Sequence, residues 1–165
     1  MISKRMKKFD YENSIGFVVY SASKTFQKAF DLELRKKAGI TITQSKVIFS
    51  LYLHSGLTQR ELADKIGVES PTLVPIIDKM EEDGYVQRKS DTEDRRIKRV
   101  YTTSKTDSLW DSMMECALRI RKVSTRDIPE DQLKTSLETL RKISKNLVTH
   151  FGVDNLLTIP KKSKS

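Results

Sequence analysis

Apolar positions recur with helical spacing over most of the chain. From Ile15 they fall at Val18, Ala22, Phe26, Ala29, Phe30 and Leu34, a stripe that predicts one helix running to about Lys37. Gly39, in "KAGIT", supplies the stop. A second helix is expected from a cap at Thr43 through Val47, Ile48, Leu51 and Tyr52, ending near "HSG". In "LTQRELADKIG", Thr58 and Glu61 have capping-box spacing, so that hydroxyl and carboxylate each accept a backbone N–H. Leu62, Ala63 and Ile66 then form the buried face of a short helix closed by Gly67. Leu73, Ile76, Ile77 and Met80 lie at i, i+3, i+4 and i+7, and that helix ends at Gly84.

The period then changes. "YVQRKSDTEDRRIKRVYTT" reads as two strands, Tyr85 to Lys89 and Ile97 to Thr102, around a polar turn. Helical spacing returns from Thr106 with Leu109, Met113, Cys116, Ala117 and Ile120. Pro129 opens a last helix carrying Leu133, Leu137, Leu140, Ile143, Leu147 and Phe151, and the pattern fades after Gly152. A short capped helix, a tight turn, a second helix and a basic hairpin make a winged helix-turn-helix, whose second helix enters a major groove. The predicted fold is therefore mainly α with a small β-hairpin wing. Its expected divisions are a basic tail (1–13), a dimerisation helix (14–42), the DNA-binding winged helix-turn-helix (43–104), two further dimerisation helices (105–151) and a second basic tail (152–165).

Two prolines sit inside the recognition helix, in "ESPTLVPIID". If Ser70 is the cap, Pro71 occupies the first helical position, where a fixed φ and a missing N–H cost little. Pro75 would have bonded to the carbonyl of Pro71, and it biases Val74 away from helical geometry, so the first turn is expected to be kinked or irregular. Counting round the helix, Pro71, Pro75, Asp78 and Glu82 face away from the core, with Thr72, Val74 and Lys79 at the margins. This face has no arginine, asparagine or glutamine for bidentate base reading. Ser70 and Thr72 offer hydroxyls, and Val74 and Pro75 offer apolar surface to thymine methyl groups, which together predict a preference for A·T-rich sites.

Composition narrows the reading. The net charge is +9, but Lys4, Arg5, Lys7, Lys8, Lys161, Lys162 and Lys164 at the two ends account for most of it. The hairpin is the local exception: Arg88, Lys89, Arg95, Arg96, Lys98 and Arg99 outnumber Asp91, Glu93 and Asp94, and guanidinium groups suit the narrow minor groove of A·T-rich DNA. One cysteine, Cys116, excludes an internal disulfide, and two histidines distant in sequence, His54 and His150, make no metal set. With no nucleophile-and-base constellation and no glycine-rich phosphate loop, nothing supports an enzyme, and no cofactor or metal is expected. No apolar run is long enough to span a membrane and no secretory signal is apparent, so a cytoplasmic location is expected.

"LTQRELADKIGVESPTLVPIIDKMEEDGYVQRKSDTEDRRIKRVYTT" resembles the MarR/SlyA family of transcriptional regulators. "DTEDRR", Asp91 to Arg96, is similar to the family's wing signature D-x-R-D-R-R, and "PTLVPIIDKMEEDGYV" to its recognition helix. Three departures stand out: Glu93 and Pro75 replace frequent arginines, and "TTSKT" replaces the usual L-T-E-K-G. The resemblance implies a homodimeric double-stranded DNA-binding regulator, here read as a repressor, acting at a pseudo-palindromic operator. It implies DNA contacts from Ser70, Pro71, Thr72, Val74, Pro75 and Lys79 on the recognition helix. On the wing it implies contacts from Arg88, Lys89, Asp91, Asp94, Arg95, Arg96 and Lys98, with Arg95 entering the groove and Asp91 or Asp94 bracing Arg96.

Val18, Phe26, Phe30, Leu140, Leu147 and Phe151 are the expected dimerisation residues, some of which must instead serve the intrachain core. Many members of the family release DNA when a small, often phenolic, anion binds between the dimerisation and DNA-binding regions, so such an effector is a further implied partner. Redox-sensing members carry their cysteine near the first helix, whereas Cys116 lies on a late apolar stripe and reads as a buried, inert thiol. The alternative to a site-specific regulator is a winged helix used for protein assembly or as an architectural DNA binder, which the carboxylates Asp78, Glu81, Glu82 and Asp83 on the recognition helix favour.

Overall fold

The amphipathic stripes become six helices, and the hairpin becomes part of a three-stranded sheet. The computed structural model describes residue 10 and residues 12–153; the lysine-rich ends, with Lys4 to Lys8 and Lys161 to Lys164, lie outside the described residues. The elements are α1 (Ile15–Ala38), α2 (Ile42–Leu53), β1 (Leu57–Thr58), α3 (Gln59–Ile66), α4 (Ser70–Glu82), β2 (Val86–Ser90), β3 (Lys98–Thr102), α5 (Lys105–Ser124) and α6 (Glu130–Phe151). The core draws Leu34 from α1, Ile48 and Leu51 from α2, Leu62 from α3, Leu73, Ile77 and Met80 from α4, Val86 and Val100 from the sheet, and Met113 from α5. Burial of this order, about 2 kcal/mol for each large side chain, is what holds short helices such as α3 in place.

Two helix starts differ from expectation. Thr41, not Thr43, caps α2: its side chain accepts from the Gln44 N–H, and the Gln44 side chain accepts from the Thr41 N–H, 2.8 Å. Asp31 of α1 fixes the choice by accepting the next free N–H, that of Ile42, at 2.8 Å. The Thr58–Glu61 capping box is present as the spacing predicts. Helix α4 starts after Glu69 rather than after Ser70, with no side-chain cap, which puts Pro71 at the second helical position.

The irregularity expected from the prolines is confined to that first turn. The Glu69 carbonyl accepts from both Thr72 N–H (3.0 Å) and Leu73 N–H (3.2 Å), a shared bond common at helix ends. Beyond it α4 runs uninterrupted through Pro75 to Glu82. The ladder bond lost at Pro75 lies on the exposed face, and burial of Leu73, Ile77 and Met80 keeps the helix intact despite it.

The sheet order is β1-β3-β2, all antiparallel, with Leu57 opposite Val100 and Arg88 opposite Val100 on the other side. β1 is too short to show periodicity and exists through its pairing with β3. The wing base is tied to α5 by hydroxyls: Thr103 Oγ1 donates to the Gly84 carbonyl (2.7 Å) and the fully buried Thr106 donates to that of Tyr85 (2.5 Å). "TTSKT" is therefore the joint between the wing and the long C-terminal helices.

Candidate nucleic-acid interface

Helix α4 turns Leu73, Ile77 and Met80 inward, and this fixes what it shows outward. Pro71, Thr72, Val74, Pro75, Asp78 and Lys79 are exposed, and Ser70 is half-buried at the helix start. The first two turns thus present a hydroxyl and apolar face without charge.

The carboxylates of α4 are matched in pairs. Arg88 of β2, its side chain only 19% exposed, donates through its two terminal nitrogens to Asp78 and Glu81, while its backbone N–H donates to Glu81 at 2.7 Å. The backbone N–H and the guanidinium hold Glu81 below the usual carboxylate range. Lys79 lies 2.9 Å from Glu82 and 3.2 Å from Asp83. Arg88, expected on the DNA-contacting surface, is therefore committed to clamping the wing onto the recognition helix. Sequence spacing gave no hint of this, because the pairing depends on β2 folding back against α4.

Within the wing tip, Asp91 Oδ1 accepts from the N–H groups of Glu93 (2.8 Å) and Asp94 (3.2 Å), and Oδ2 accepts from Arg99 Nε. These donors, the Arg99 guanidinium first among them, pull the Asp91 carboxyl down to about 2. Asp94 accepts from the Arg96 N–H at 3.0 Å and lies 3.5 Å from Arg96 Nε. Of the two candidate braces for Arg96 it is Asp94 that reaches it, while Asp91 serves Arg99, a residue the sequence reading counted but gave no role. Lys89 lies over the Tyr101 ring and Lys98 donates to Ser90 Oγ at 2.7 Å. Arg95 is exposed and has no ion pair among the described residues.

Comparison with known proteins now identifies this architecture. A model of the MarR family matches residues 40–98. The chain is 30% identical over 139 residues, 81% of its own length and 92% of the relative's, to an organic hydroperoxide resistance transcriptional regulator of Bacillus subtilis (strain 168). The chain belongs to the MarR family.

Among solved structures, transcriptional regulator PA3341 is similar with TM-score 0.71 and 30% identity, covering 83% of this chain and all of that one. The transcriptional repressor CouR, bound to a 23-mer DNA duplex, superposes with TM-score 0.71 at 22% identity, covering 81% of this chain and 94% of its own. A MarR-family chain is a transcriptional regulator and not an enzyme, and a winged helix with six helices is its fold.

The residues expected to pair two MarR-family chains separate into two groups. Val18 and Phe26 of α1 and Leu140 of α6 line one groove of about 550 Å³. Leu147 and Phe151 are exposed further along α6, which buries none of its residues. Phe30 points the other way and packs against the core. It lines a second cavity, of about 360 Å³, with Phe49, Ile66, Met113, Met114, Ala117, Ser45, Ser50, Lys46 and Lys65. That cavity lies between α1 and α5 on one side and α2 and α3 on the other. Cys116 is buried, and burial raises its thiol above the usual range. No described helix is long and apolar enough to cross a membrane.

Proposed function

We propose that this protein is a homodimeric, sequence-specific repressor of transcription, acting on double-stranded DNA in the cytoplasm, with α4 in the major groove and the wing in the adjacent minor groove. One observation carries the reading: the acidic helix α4 has its carboxylates neutralised within the chain, by Arg88 and Lys79, while Arg95 at the wing tip is left unpaired among the described residues. That division of charge removes the bare carboxylates that would repel a polyanion and leaves a cation to attract it. CouR, of the same fold, is a repressor bound to a 23-mer DNA duplex, which supports duplex DNA as the partner.

Ser70, Pro71, Thr72, Val74, Pro75 and Lys79 are assigned to the groove-facing surface, Arg95 and Arg96 to the minor groove, and Lys89 and Lys98 to flanking phosphates. Arg88, Asp91 and Asp94 act behind them, shaping the surface. Two copies pair through α1 and α6, covering Val18, Phe26, Leu140, Leu147 and Phe151. Symmetry then spaces the recognition helices for a pseudo-palindrome with half-sites about one helical turn apart.

The apolar cavity between the two regions suits a small aromatic anion, phenolic or carboxylic, with its charge toward Lys46 and Lys65 and its ring among Phe30, Phe49 and Met113. An occupant there touches both the dimerisation helices and the helix-turn-helix, which is the geometry needed to release DNA. The Bacillus relative is named for organic hydroperoxide resistance, and a thiol-based peroxide response is not assigned to this chain: the reactive species is a thiolate, and Cys116 is buried, which raises its thiol above the usual range.

The test is selection of genomic duplexes by the purified protein, followed by titration of the best duplex at several salt concentrations. Enrichment of a pseudo-palindrome with a steep salt slope is the expected result. Salt-steep binding indifferent to sequence would make it an architectural protein. Absence of binding at low salt would refute the regulator reading in favour of protein assembly. A Leu147→Asp substitution should yield monomers in sedimentation and abolish operator binding.

A further inference from the structure

The six cations of the hairpin are not equivalent. Arg99 sits in the central strand β3, opposite Thr58 on one side and Lys89 on the other, and its guanidinium reaches back into the protein. Nε donates to Asp91 Oδ2 at the start of the wing turn; Nη1 donates to the Gly56 carbonyl at 2.9 Å and lies 3.6 Å from Glu61 of α3. Asp91, its side chain 13% exposed, in turn holds the N–H groups of Glu93 and Asp94. One guanidinium thus links the turn carrying Arg95 to the loop before β1 and to the capping box of α3. Position 56 itself requires glycine: φ there is +77°, and an added Cβ would meet Tyr101 Oη at 2.9 Å.

We propose that Arg99 is a positioning residue for DNA binding. It fixes the direction of the wing tip, and with it Arg95, relative to α3 and α4, and does not itself touch phosphate. This rests on the reading of the wing as a minor-groove element. Asp91 and Glu61 match the charge of Arg99, so it has little to offer a duplex, whereas Arg95 has no ion pair among the described residues. A tip built before binding spares the complex the entropy of ordering it on contact.

The experiment uses the full chain and its selected duplex, with variants Arg95→Ala, Arg99→Ala, Arg99→Lys and Asp91→Ala. It reads affinity, salt slope, discrimination between A·T-rich and G·C-substituted flanks, and amide hydrogen exchange at Glu93 and Asp94. Thermal melting serves as a control for folding.

Arg99→Ala should weaken binding about tenfold, the penalty of ordering roughly one freed residue. It should flatten flank discrimination as Arg95→Ala does, speed exchange at both amides, and lower the salt slope no further than Arg95→Ala does. Asp91→Ala should behave alike, with a double variant that is not additive. Arg99→Lys, which keeps the charge and loses the planar fork, should not restore discrimination. If Arg99→Ala does not fold, the last two variants carry the same expectations.

A salt slope lowered by about one more in Arg99→Ala than in Arg95→Ala would make Arg99 a phosphate contact and overturn the proposal. An effective Arg95→Ala beside a silent Arg99→Ala overturns it while leaving the wing reading intact. A silent Arg95→Ala refutes the wing reading itself.

Discussion

Replacing Pro75 with alanine tests how the recognition helix tolerates its internal proline. Pro75 is the sixth residue of α4, exposed, and cannot supply the N–H that would bond to the Pro71 carbonyl. Proline in a helix interior costs about 3 kcal/mol relative to alanine. Part of that is returned because proline also restricts the unfolded chain, by roughly 0.4–1 kcal/mol. The core residues Leu73, Ile77 and Met80 are untouched by the change, so the net expectation is a gain of about 2 kcal/mol. Urea denaturation at fixed protomer concentration measures it, the concentration being held because a dimer's apparent stability depends on it. Unchanged or lowered stability would refute the reasoning, because it would mean that α4 accommodates proline at its sixth position as freely as at its first. A second substitution, Pro75→Arg, separates stability from readout: no gain in affinity and no change in sequence preference would sink the idea that the apolar face selects A·T-rich sites.

Three further outcomes follow from the same structure. Thr106→Val keeps the shape of a fully buried side chain but removes the hydroxyl bonded to the Tyr85 carbonyl; a loss of about 1–2 kcal/mol in denaturant titration is expected, and a neutral result would show that the wing base does not depend on it. Tyr52 donates to Asp107, and that bond pushes its phenol up to about 12 from 10.0. The folded pKa is the higher one, so the bond's contribution is complete below pH 10 and lost as pH rises through about 12. Tyrosinate absorbance should therefore show a late-titrating component that Asp107→Asn moves to lower pH. Trp110, the single tryptophan, is stacked against Phe49, which lines the apolar cavity; salicylate, as a probe aromatic anion, should change its fluorescence saturably and do so more weakly in the Lys46→Ala/Lys65→Ala double variant, and an unaltered spectrum would leave the cavity without that occupant.

How much of this was legible in the sequence differs from element to element. Long helices announce themselves because an apolar stripe with a glycine stop leaves one interpretation, as with Ile15 to Gly39. The Thr58–Glu61 box is equally local, since both partners lie within one turn. Thr41, with Gln44 three residues on, has that same local spacing and is the cap where Thr43 was expected; only the support from Asp31, eleven residues before Ile42 on α1, is invisible along the chain. β1 escaped notice for a related reason: two residues carry no period, and only β3 makes them a strand. Exposed and inward aromatic residues could not be separated either. Phe26 and Phe30 are one turn apart on the same stripe, yet Phe26 faces the α6 groove and Phe30 the cavity toward α2.

The same limit explains the charges, and it bears on how a basic hairpin should be weighed. Six cations against three carboxylates in the wing suggest six points of attraction for phosphate. Folding divides them. Arg88 is taken up by α4 and Arg99 by the wing turn and α3; Lys89 rests on Tyr101, Lys98 on Ser90, and Arg96 leans on Asp94, so that Arg95 alone has no such partner among the described residues. On the proposed reading, the two inward arginines remove repulsion and fix direction, because Asp78, Glu81 and Asp91 would otherwise stand bare beside a polyanion. Counterion release counts only cations that reach phosphate, so the salt slope of this protein should follow its outward cations and fall short of the charge the hairpin carries. On the proposed reading, net charge draws DNA toward the wing, and the pattern of internal pairing leaves Arg95 as the point at which it would be met.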